Sequence, residues 1–162
     1  MESLPGQPTQ TGAAHPSGDA RPASILVQRR IEWPDTDASG NYHNTAAFRF
    51  IEVAETALLE RLGILENIYG RHPRAHIEAD FLRPLRFRDL VDIELRVMAV
   101  GTTSVTYEFE MRTRGELAVK GKVVAVLLSE PRGRPVPWPE EYRRLLLTAG
   151  PQPPELLVVG DG

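Results

Sequence analysis

Residues 33–63 read WPDTDASGNYHNTAAFRFIEVAETALLERLG, and the long helix within this stretch organises the rest of the chain. From Thr45 to Leu62, apolar residues recur at intervals of three and four, which is the repeat of an α-helix. Asn44 or Thr45 is the expected N-cap, and Gly63 is the expected residue at which the helix stops. Further apolar residues flank the stripe, so we expect a sheet to wrap around this helix. The stripe consists of Phe48, Ile51, Ala54, Leu58 and Leu62.

The segments on either side of the helix alternate apolar and polar residues, which predicts antiparallel strands with one face on a core. The predicted strands are 24–33, 76–81, 91–99, 105–112 and 117–128, followed by a short helix over 139–147. The simplest packing is an antiparallel sheet of about five strands wrapped around one long central helix, which is an α+β domain. A helix lying across an open sheet is the alternative.

The composition is that of an ordinary globular domain and excludes several classes of protein. The chain has 162 residues, a net charge of -3, 41% hydrophobic residues and no cysteine, which excludes disulfides, thiolate nucleophiles and cysteine-based zinc sites. The small charge implies no strong attraction to nucleic acid, and no apolar run reaches the length of a membrane span. We expect a disordered leader over 1–23, one domain over 24–148, a flexible tail over 149–162 and a cytoplasmic location.

The connection between the first strand and the helix, Asp35-Thr36-Asp37-Ala38-Ser39-Gly40-Asn41-Tyr42-His43-Asn44, carries the candidate chemistry. It packs two carboxylates, a glycine and a histidine next to a helix start, where free backbone N–H groups and the positive end of the helix dipole lie. A loop of this kind often does no more than form Asx turns and a helix cap. Both interpretations are open from the residues alone.

The loop, together with 48–54 on the helix and Ile77 to Asp89, resembles the hotdog fold, and specifically the 4-hydroxybenzoyl-CoA thioesterase-like family of acyl-CoA thioesterases. The resemblance implies that Asp37 is the nucleophile or general base. It also implies that the backbone N–H of Asn44 polarises the thioester carbonyl. The active site is expected at a homodimer interface, with the pantetheine arm running between subunits, and dimers of this fold also pair into homotetramers.

A second hotdog thioesterase arrangement is similar to this chain as well. There a histidine precedes the helix and a carboxylate two turns into the helix does the chemistry, which corresponds to His43 and Glu52 here. Many members of the first family carry an arginine where Glu55 stands. The resemblance therefore leaves two candidate catalytic carboxylates, Asp37 and Glu52.

Thioester hydrolysis needs a carboxylate, donors at the developing oxyanion and an apolar slot for the acyl group. Asp37 supplies the first, the N–H groups of Asn44 and Thr45 the second, and His43 adds a donor or orients the carboxylate. Asp35 is expected to turn the loop. The candidate residues of the slot are Tyr42, Phe48 and Ile51.

Arg83, Arg86 and Arg88 form a basic cluster after the second strand. Guanidinium groups suit the phosphates of coenzyme A, although a solvated sheet edge is the plainer interpretation. His72 and His76 are predicted to be surface residues, and four scattered histidines predict no metal site. No cofactor is expected beyond the coenzyme A of the substrate.

The leading hypothesis is a hydrolase that cleaves an acyl-CoA or acyl carrier protein thioester. A hotdog hydratase or dehydratase acting on enoyl thioesters is the second enzyme hypothesis, since such sites also pair a histidine with a carboxylate. A non-catalytic acyl-CoA-binding module is the third, because a fold does not by itself determine a function.

Overall fold

The computed structural model describes residues 20–153 and 158–159. The described residues form seven strands, which are β1 (Arg21–Arg30), β2 (Arg74–Phe81), β3 (Leu90–Val100), β4 (Ser104–Thr113), β5 (Glu116–Val126), β6 (Ala149–Pro151) and β7 (Val158–Val159). The helices are α1 (Asn44–Arg61), α2 (Leu65–Ile68) and α3 (Glu140–Thr148), and a 3-10 turn spans Trp33–Asp35. In the described ranges, no helix is both long enough and apolar enough to cross a membrane.

All the strands belong to one sheet, in the order β2-β5-β4-β3-β1-β6, with β7 also paired to β1. The five long strands pair antiparallel, as predicted from their alternation. The two short strands after α3 pair parallel to β1 and make the sheet mixed. The predicted α+β architecture is confirmed, and β2 lies at one edge of the sheet.

Helix α1 packs on the concave face of the sheet, where it contacts β1 and β3. The inward residues of β3 and β4 are almost completely buried, and they meet the apolar stripe of α1. Each large side chain buried in this way contributes about 1.5–3 kcal/mol of transfer free energy. The central members of this core are Ile51, Ala54, Leu58, Ile93, Leu95, Val105, Tyr107 and Phe109.

The ends of α1 follow local chemistry. The helix begins at Asn44, and its N-cap is His43 rather than the predicted Asn44 or Thr45. At the other end Gly63 has φ +71, the left-handed conformation that glycine adopts without strain, so the predicted stop is confirmed.

The ordered sheet extends beyond both predicted domain boundaries. Residues 21–23 of the expected leader are in β1, and residues 1–19 lie outside the described residues. The sheet also continues past residue 148, the expected end of the domain. The reason is Arg61, whose guanidinium donates to carbonyl oxygens on β1 and β6 and ties the two strands together. Residues 154–157 and 160–162 of the expected tail lie outside the described ranges.

Candidate functional site

The loop before α1 is a tight hairpin that lies against the connection between β2 and β3. The N–H of Asp37 donates to the carbonyl of Asn41 (3.0 Å), and the N–H of Gly40 donates back to the carbonyl of Asp37 (3.0 Å). Gly40 has φ +80, so a glycine is favoured at this turn. Asn41 also forms an isolated β-bridge with Arg86, which brings the predicted basic cluster next to the loop.

The carboxylate of Asp37 is exposed on this hairpin and is held by one neighbour. Its Oδ1 accepts hydrogen bonds from the hydroxyl (2.5 Å) and the backbone N–H (2.8 Å) of Ser39. These bonds, with a smaller contribution from the charge of His43, hold the pKa of Asp37 below its ordinary value. The group is therefore an ionised carboxylate at neutral pH, and its Oδ1 is the oxygen engaged with Ser39.

Asp35 has the structural role that the sequence predicts. It is buried, and its Oδ2 accepts the backbone N–H of Glu32 (2.8 Å) while Oδ1 pairs with Arg49 of α1 (2.5 Å). Its carbonyl oxygen accepts the N–H of His43 (2.6 Å). Asp35 thus fastens the loop to the segment that follows β1 and to α1, which sets the position of Asp37.

His43 caps the helix through its side chain. Its Nδ1 accepts the N–H of Thr45 (3.1 Å) and lies 2.7 Å from the Thr45 hydroxyl. Because Nδ1 acts as an acceptor, the proton of the neutral imidazole is assigned to Nε2, which makes Nε2–H a donor. The Thr45 N–H is consequently engaged in the cap and is not free for an oxyanion, contrary to the sequence prediction. The N–H of Asn44 has no protein acceptor within the part of the chain that the structure describes.

Two clefts flank α1. The β1-side cleft, of about 690 Å³, lies between α1 and the end of β1. The β2-side cleft, of about 560 Å³, lies between α1 and the start of β2. The lining of the β1-side cleft includes Arg49, Phe50, Glu52, Val53 and Ala57. The lining of the β2-side cleft includes Glu52, Glu55, Leu59, His72 and Arg74. Asp37 lines neither cleft within its own chain.

The predicted slot residues lie in the core or at its margin. Tyr42 and Ile51 are buried in the core with 5% and 1% exposure, and Phe48 is half-buried at the margin of the core. Ile51 is on the helix face that packs against the sheet, and Tyr42 is held under the loop by a bond from its N–H to the carbonyl of Leu85 (2.8 Å). Neither Tyr42 nor Ile51 lines the two clefts in a single chain, and their place in an acyl slot stays a prediction.

Glu52 lies on the ridge between the two clefts. Its side chain is 54% exposed and its Oε1 pairs with Nη1 of Arg74 (3.1 Å). Nine residues, or about 13 Å of helix axis, separate it from His43. Within one chain, the structure therefore keeps Glu52 apart from Asp37 and His43, whereas it places Asp37, His43 and Asn44 together.

A buried polar cluster beside the β2-side cleft was missed from the sequence. The Glu55 side chain is only 4% exposed, and its Oε2 accepts from Nη2 (2.9 Å) and Nε (3.1 Å) of Arg74. Nε2 of His72 lies 3.4 Å from Glu55 Oε1 and 3.4 Å from the hydroxyl of Tyr107. The side chain of His72 is 6% exposed, so its assignment as a surface residue is wrong, whereas His76 is exposed as predicted.

Burial dominates the electrostatics of this cluster. It raises the pKa of Glu55, against the opposing effect of Arg74, and it lowers the pKa of His72 to about 4 with help from the same guanidinium. The pKa of Tyr107 is raised for the same reason. One signal in the sequence points to Glu55, since it falls four residues after Ile51 on the buried stripe of the helix. No local pattern links that position to residues 72–74.

The three arginines of the predicted basic cluster separate in the structure. Arg83 pairs with Glu116 of β5 at 3.4 Å. Arg86 and Arg88 lie in the turn beside the Asp37 hairpin, and neither has an ion-pair partner among the described residues. Across the same residues, no group of three or more His, Cys, Asp or Glu side chains has an arrangement suited to a metal ion.

Comparison with known proteins gives concordant results. The profile of the Thioesterase-like superfamily matches residues 31–146. A 1,4-dihydroxy-2-naphthoyl-CoA hydrolase from Prochlorococcus marinus (strain MIT 9303) is 27% identical, over 78% of this chain and 91% of the relative. A crystal structure of a thioesterase complexed with coenzyme A and Zn from Thermus thermophilus is 31% identical. It has a TM-score of 0.68 and covers 75% of this chain and 90% of that one.

A structure of a 1,4-dihydroxy-2-naphthoyl-CoA thioesterase from Synechocystis has the same fold, with a TM-score of 0.68 at 18% identity. That match covers 76% of this chain and 95% of the other. The similarity therefore extends over most of the folded domain.

Proposed function

The chain belongs to the Thioesterase-like superfamily and is a hotdog-fold thioester hydrolase, and we propose that its substrate is an acyl-CoA attacked through Asp37. The support for coenzyme A is that one relative is named a naphthoyl-CoA hydrolase and another is complexed with coenzyme A. The single observation that carries the assignment to Asp37 is the hairpin, which presents an ionised carboxylate beside the open N-terminus of α1.

In the proposed mechanism, the thioester carbonyl oxygen points at the N–H of Asn44. The carboxylate of Asp37 attacks the carbonyl carbon, or removes a proton from a water that attacks it. Negative charge develops on the oxygen and is stabilised by the amide and by the positive end of the helix dipole. If Asp37 attacks directly, the thiolate leaves to give a mixed anhydride on Asp37, which a water then hydrolyses to the acid and the free Asp37 carboxylate. If Asp37 activates a water, loss of the thiolate gives the acid in one stage. In both cases that water supplies the proton taken up by the thiolate, and the products are the acid and free coenzyme A.

His43 assists as a donor in this scheme. Its Nδ1 is occupied by the helix cap, so Nε2–H is the group that it offers to a carbonyl oxygen. This is the form of imidazole that polarises a carbonyl and not the form that removes a proton from carbon. The cap therefore assigns His43 a donor role and leaves Asp37 as the base in either chemistry, so thiol release is the readout that separates hydrolysis from the hydratase alternative.

A second copy of the chain is proposed to complete the site. Asp37 is exposed in one chain, and β2 is an edge strand that ends in the exposed apolar residue Phe81, followed directly by the exposed Leu82. Open strand edges with apolar side chains pair readily with another chain. Pairing through β2 would set the loop of one subunit against a cleft beside Glu52 of the other. A homodimer is the proposed unit, and two such dimers would form a tetramer.

The decisive experiment is thiol release from a panel of acyl-CoA esters, which is clean because the chain contains no cysteine. Asp37→Asn is expected to lower kcat/KM by about 100-fold or more. Glu94→Gln, the corresponding change on the outer face of the central strand β3, is the matched control and should retain activity. Full activity in a folded Asp37→Asn protein would exclude Asp37 as the catalytic carboxylate.

The role of Glu52 is tested by Glu52→Gln and by mixing subunits. If both single variants are inactive, a mixture that forms hybrid dimers should recover roughly a quarter of the wild-type rate, because half the dimers contain one intact site. No recovery would mean that the two carboxylates do not meet across subunits. Full activity of Glu52→Gln would leave Asp37 as the catalytic group.

Two other outcomes would replace the proposal. A change in double-bond absorbance without thiol release would indicate a hydratase or dehydratase. Tight binding of acyl-CoA without turnover would indicate a binding module.

A further inference from the structure

An exposed pair of aromatic rings lies a few residues from the catalytic hairpin. Trp33 is 76% exposed and Phe87 is 50% exposed, although each would normally be buried. Their ring centroids are 6.3 Å apart in an edge-to-face arrangement. The pair leaves most of the indole open to solvent.

Backbone pairing holds arginines around these rings. The N–H of Arg88 donates to the carbonyl of Ile31 (2.8 Å), which joins the segment of Trp33 to the segment of Phe87. Nη1 of Arg30 donates to the carbonyl of Arg88 (3.3 Å). The arginine–aromatic patch consists of Arg30, Trp33, Arg86, Phe87 and Arg88.

Arg88 occupies a strained position within this patch. Its φ is +74, in the left-handed region where a β-carbon costs stability and glycine does not. It lines a cleft of about 380 Å³ together with Arg30 and Arg114. Arg114 (φ +52) and Arg132 (φ +65) share this conformation, so the positive φ does not by itself mark Arg88 as functional, and it is the place of Arg88 on the cleft that indicates a binding role.

Two carboxylates also line that cleft, and both are engaged with neighbours. Oδ2 of Asp89 accepts the backbone N–H of Arg86 (2.8 Å), and Oδ1 of Asp92 accepts from Nε2 of Gln28 (2.9 Å). The guanidinium groups around the cleft therefore outnumber its carboxylates, and a polyanion placed there meets net positive charge.

We propose that the arginine–aromatic patch binds the phosphorylated nucleotide end of coenzyme A, an inference that rests on the proposed function. The adenine base stacks on the indole of Trp33, and the guanidinium groups of Arg86 and Arg88 bind phosphate oxygens. The β-bridge between Asn41 and Arg86 places this subsite next to the hairpin that carries Asp37. The thioester end of the same molecule then extends from the patch to the start of α1.

A nucleotide fits the patch better than an acidic carrier protein does. A base needs an open aromatic face beside the phosphate-binding groups, and Trp33 supplies one. Charge attraction to a carrier protein would need only the arginines and would leave the exposed indole without a use.

The first test is tryptophan fluorescence, with adenosine 3′,5′-bisphosphate and pantetheine as separate probes. The chain has two tryptophans, and Trp138 is only 5% exposed, so quenching by a stacked base reports on Trp33. The bisphosphate should quench and saturate, and Trp33→Leu should abolish the response. Absence of quenching by the bisphosphate would overturn the inference.

The second test compares hydrolysis of one acyl group carried on coenzyme A and on pantetheine. Trp33→Ala and Arg88→Gly should each raise KM for the coenzyme A ester about 5- to 150-fold relative to the pantetheine ester, the range for a lost stacking or phosphate contact. Arg88→Gly also relieves the backbone strain, so misfolding cannot explain its effect. Arg96→Ala, which removes an exposed arginine on the outer face of the sheet, should leave the KM ratio unchanged.

The outcomes separate this inference from the proposed function. Equal effects on both esters, or no effect on either, would refute the nucleotide subsite and leave the hydrolase intact. Loss confined to carrier protein thioesters would refute it as well and assign the patch to a carrier protein. Saturable quenching by the bisphosphate without turnover of any thioester would retain the subsite and refute the proposed function.

Discussion

Replacing His72 with phenylalanine should remove much of the acid sensitivity of folding. His72 is buried against Trp138 and Tyr107, with ring centroids at 5.3 and 6.4 Å, and phenylalanine preserves the approximate size of the ring. The variant should lose about 1–2 kcal/mol at neutral pH, because the contacts of Nε2 with Glu55 and the Tyr107 hydroxyl disappear. The informative quantity is how this difference from the wild type changes with pH.

The sign follows from the pKa of His72. It is about 4 in the folded chain against an ordinary value of 6.5, so the unfolded chain takes up the proton first as the pH falls. The contribution of the neutral His72 imidazole to the free energy of unfolding is therefore complete above pH 6.5 and is lost progressively as the pH falls to about 4. For a side chain that is 6% exposed, the loss amounts to about 3 kcal/mol.

Glu55 changes the pH dependence of the free energy of unfolding in the direction opposite to His72. Its pKa is raised by burial, so the folded chain holds its proton more tightly than the unfolded chain does. Acidification therefore adds stability from Glu55 while it removes stability from His72. The comparison between wild type and variant, and not the wild-type curve alone, isolates the histidine.

Urea unfolding at fixed protein concentration, in steps from about pH 7 to about pH 4, measures the difference. The free energy of unfolding of the wild type, relative to His72→Phe, should fall by about 3 kcal/mol over this interval. His76→Phe replaces an exposed histidine and is the matched control, with a curve parallel to the wild type. Parallel curves for His72→Phe and the wild type would show that the buried imidazole does not titrate as described.

Three further outcomes are expected. Ser39→Ala removes the hydrogen bond from the Ser39 hydroxyl to Asp37, and this bond lowers the pKa of Asp37. The acid limb of the pH profile of kcat/KM should therefore move to higher pH. An acid limb that does not move would exclude Asp37 as the titrating group. Arg74→Met leaves the carboxylate of Glu55 buried without its partner, and a urea midpoint should report a loss of about 3 kcal/mol, whereas no loss would mean that Glu55 is solvated. Gly121→Ala drives a β-carbon into the carbonyl oxygen of Glu78 on β2, so thermal unfolding should show destabilisation of at least about 3 kcal/mol. An unchanged midpoint would mean that the backbone of β2 moves aside without a loss of stability.

Much of the fold follows from local patterns. The period of α1, the alternation of the later strands and Gly63 after the helix are all read within a few neighbouring residues, and the structure confirms them. The boundaries near residues 24 and 149 were placed by composition alone. They differ from the structure because the reach of Arg61 across to β1 and β6 has no local signature.

In the candidate site, too, some features follow from local sequence and others depend on tertiary packing. The sequence places Asp37, His43 and Asn44 in one short connection, so their proximity is covalently ensured. Which N–H groups stay open depends on the side-chain rotamer of His43, whose Nδ1 occupies the N–H of Thr45. Periodicity placed Ile51 on the apolar stripe of α1, and packing against the sheet buries it there.

By itself, the sequence determined the α+β class, the long helix and the loop that bears Asp37, because hydrophobic period and turn chemistry act over short separations. Only the tertiary structure decided that His72 and Arg74 enclose Glu55, and that Trp33 meets Phe87 beside Arg88. Those contacts join segments from 17 to 54 residues apart. No local preference specifies such a pairing, since it exists only once the sheet has curled around α1.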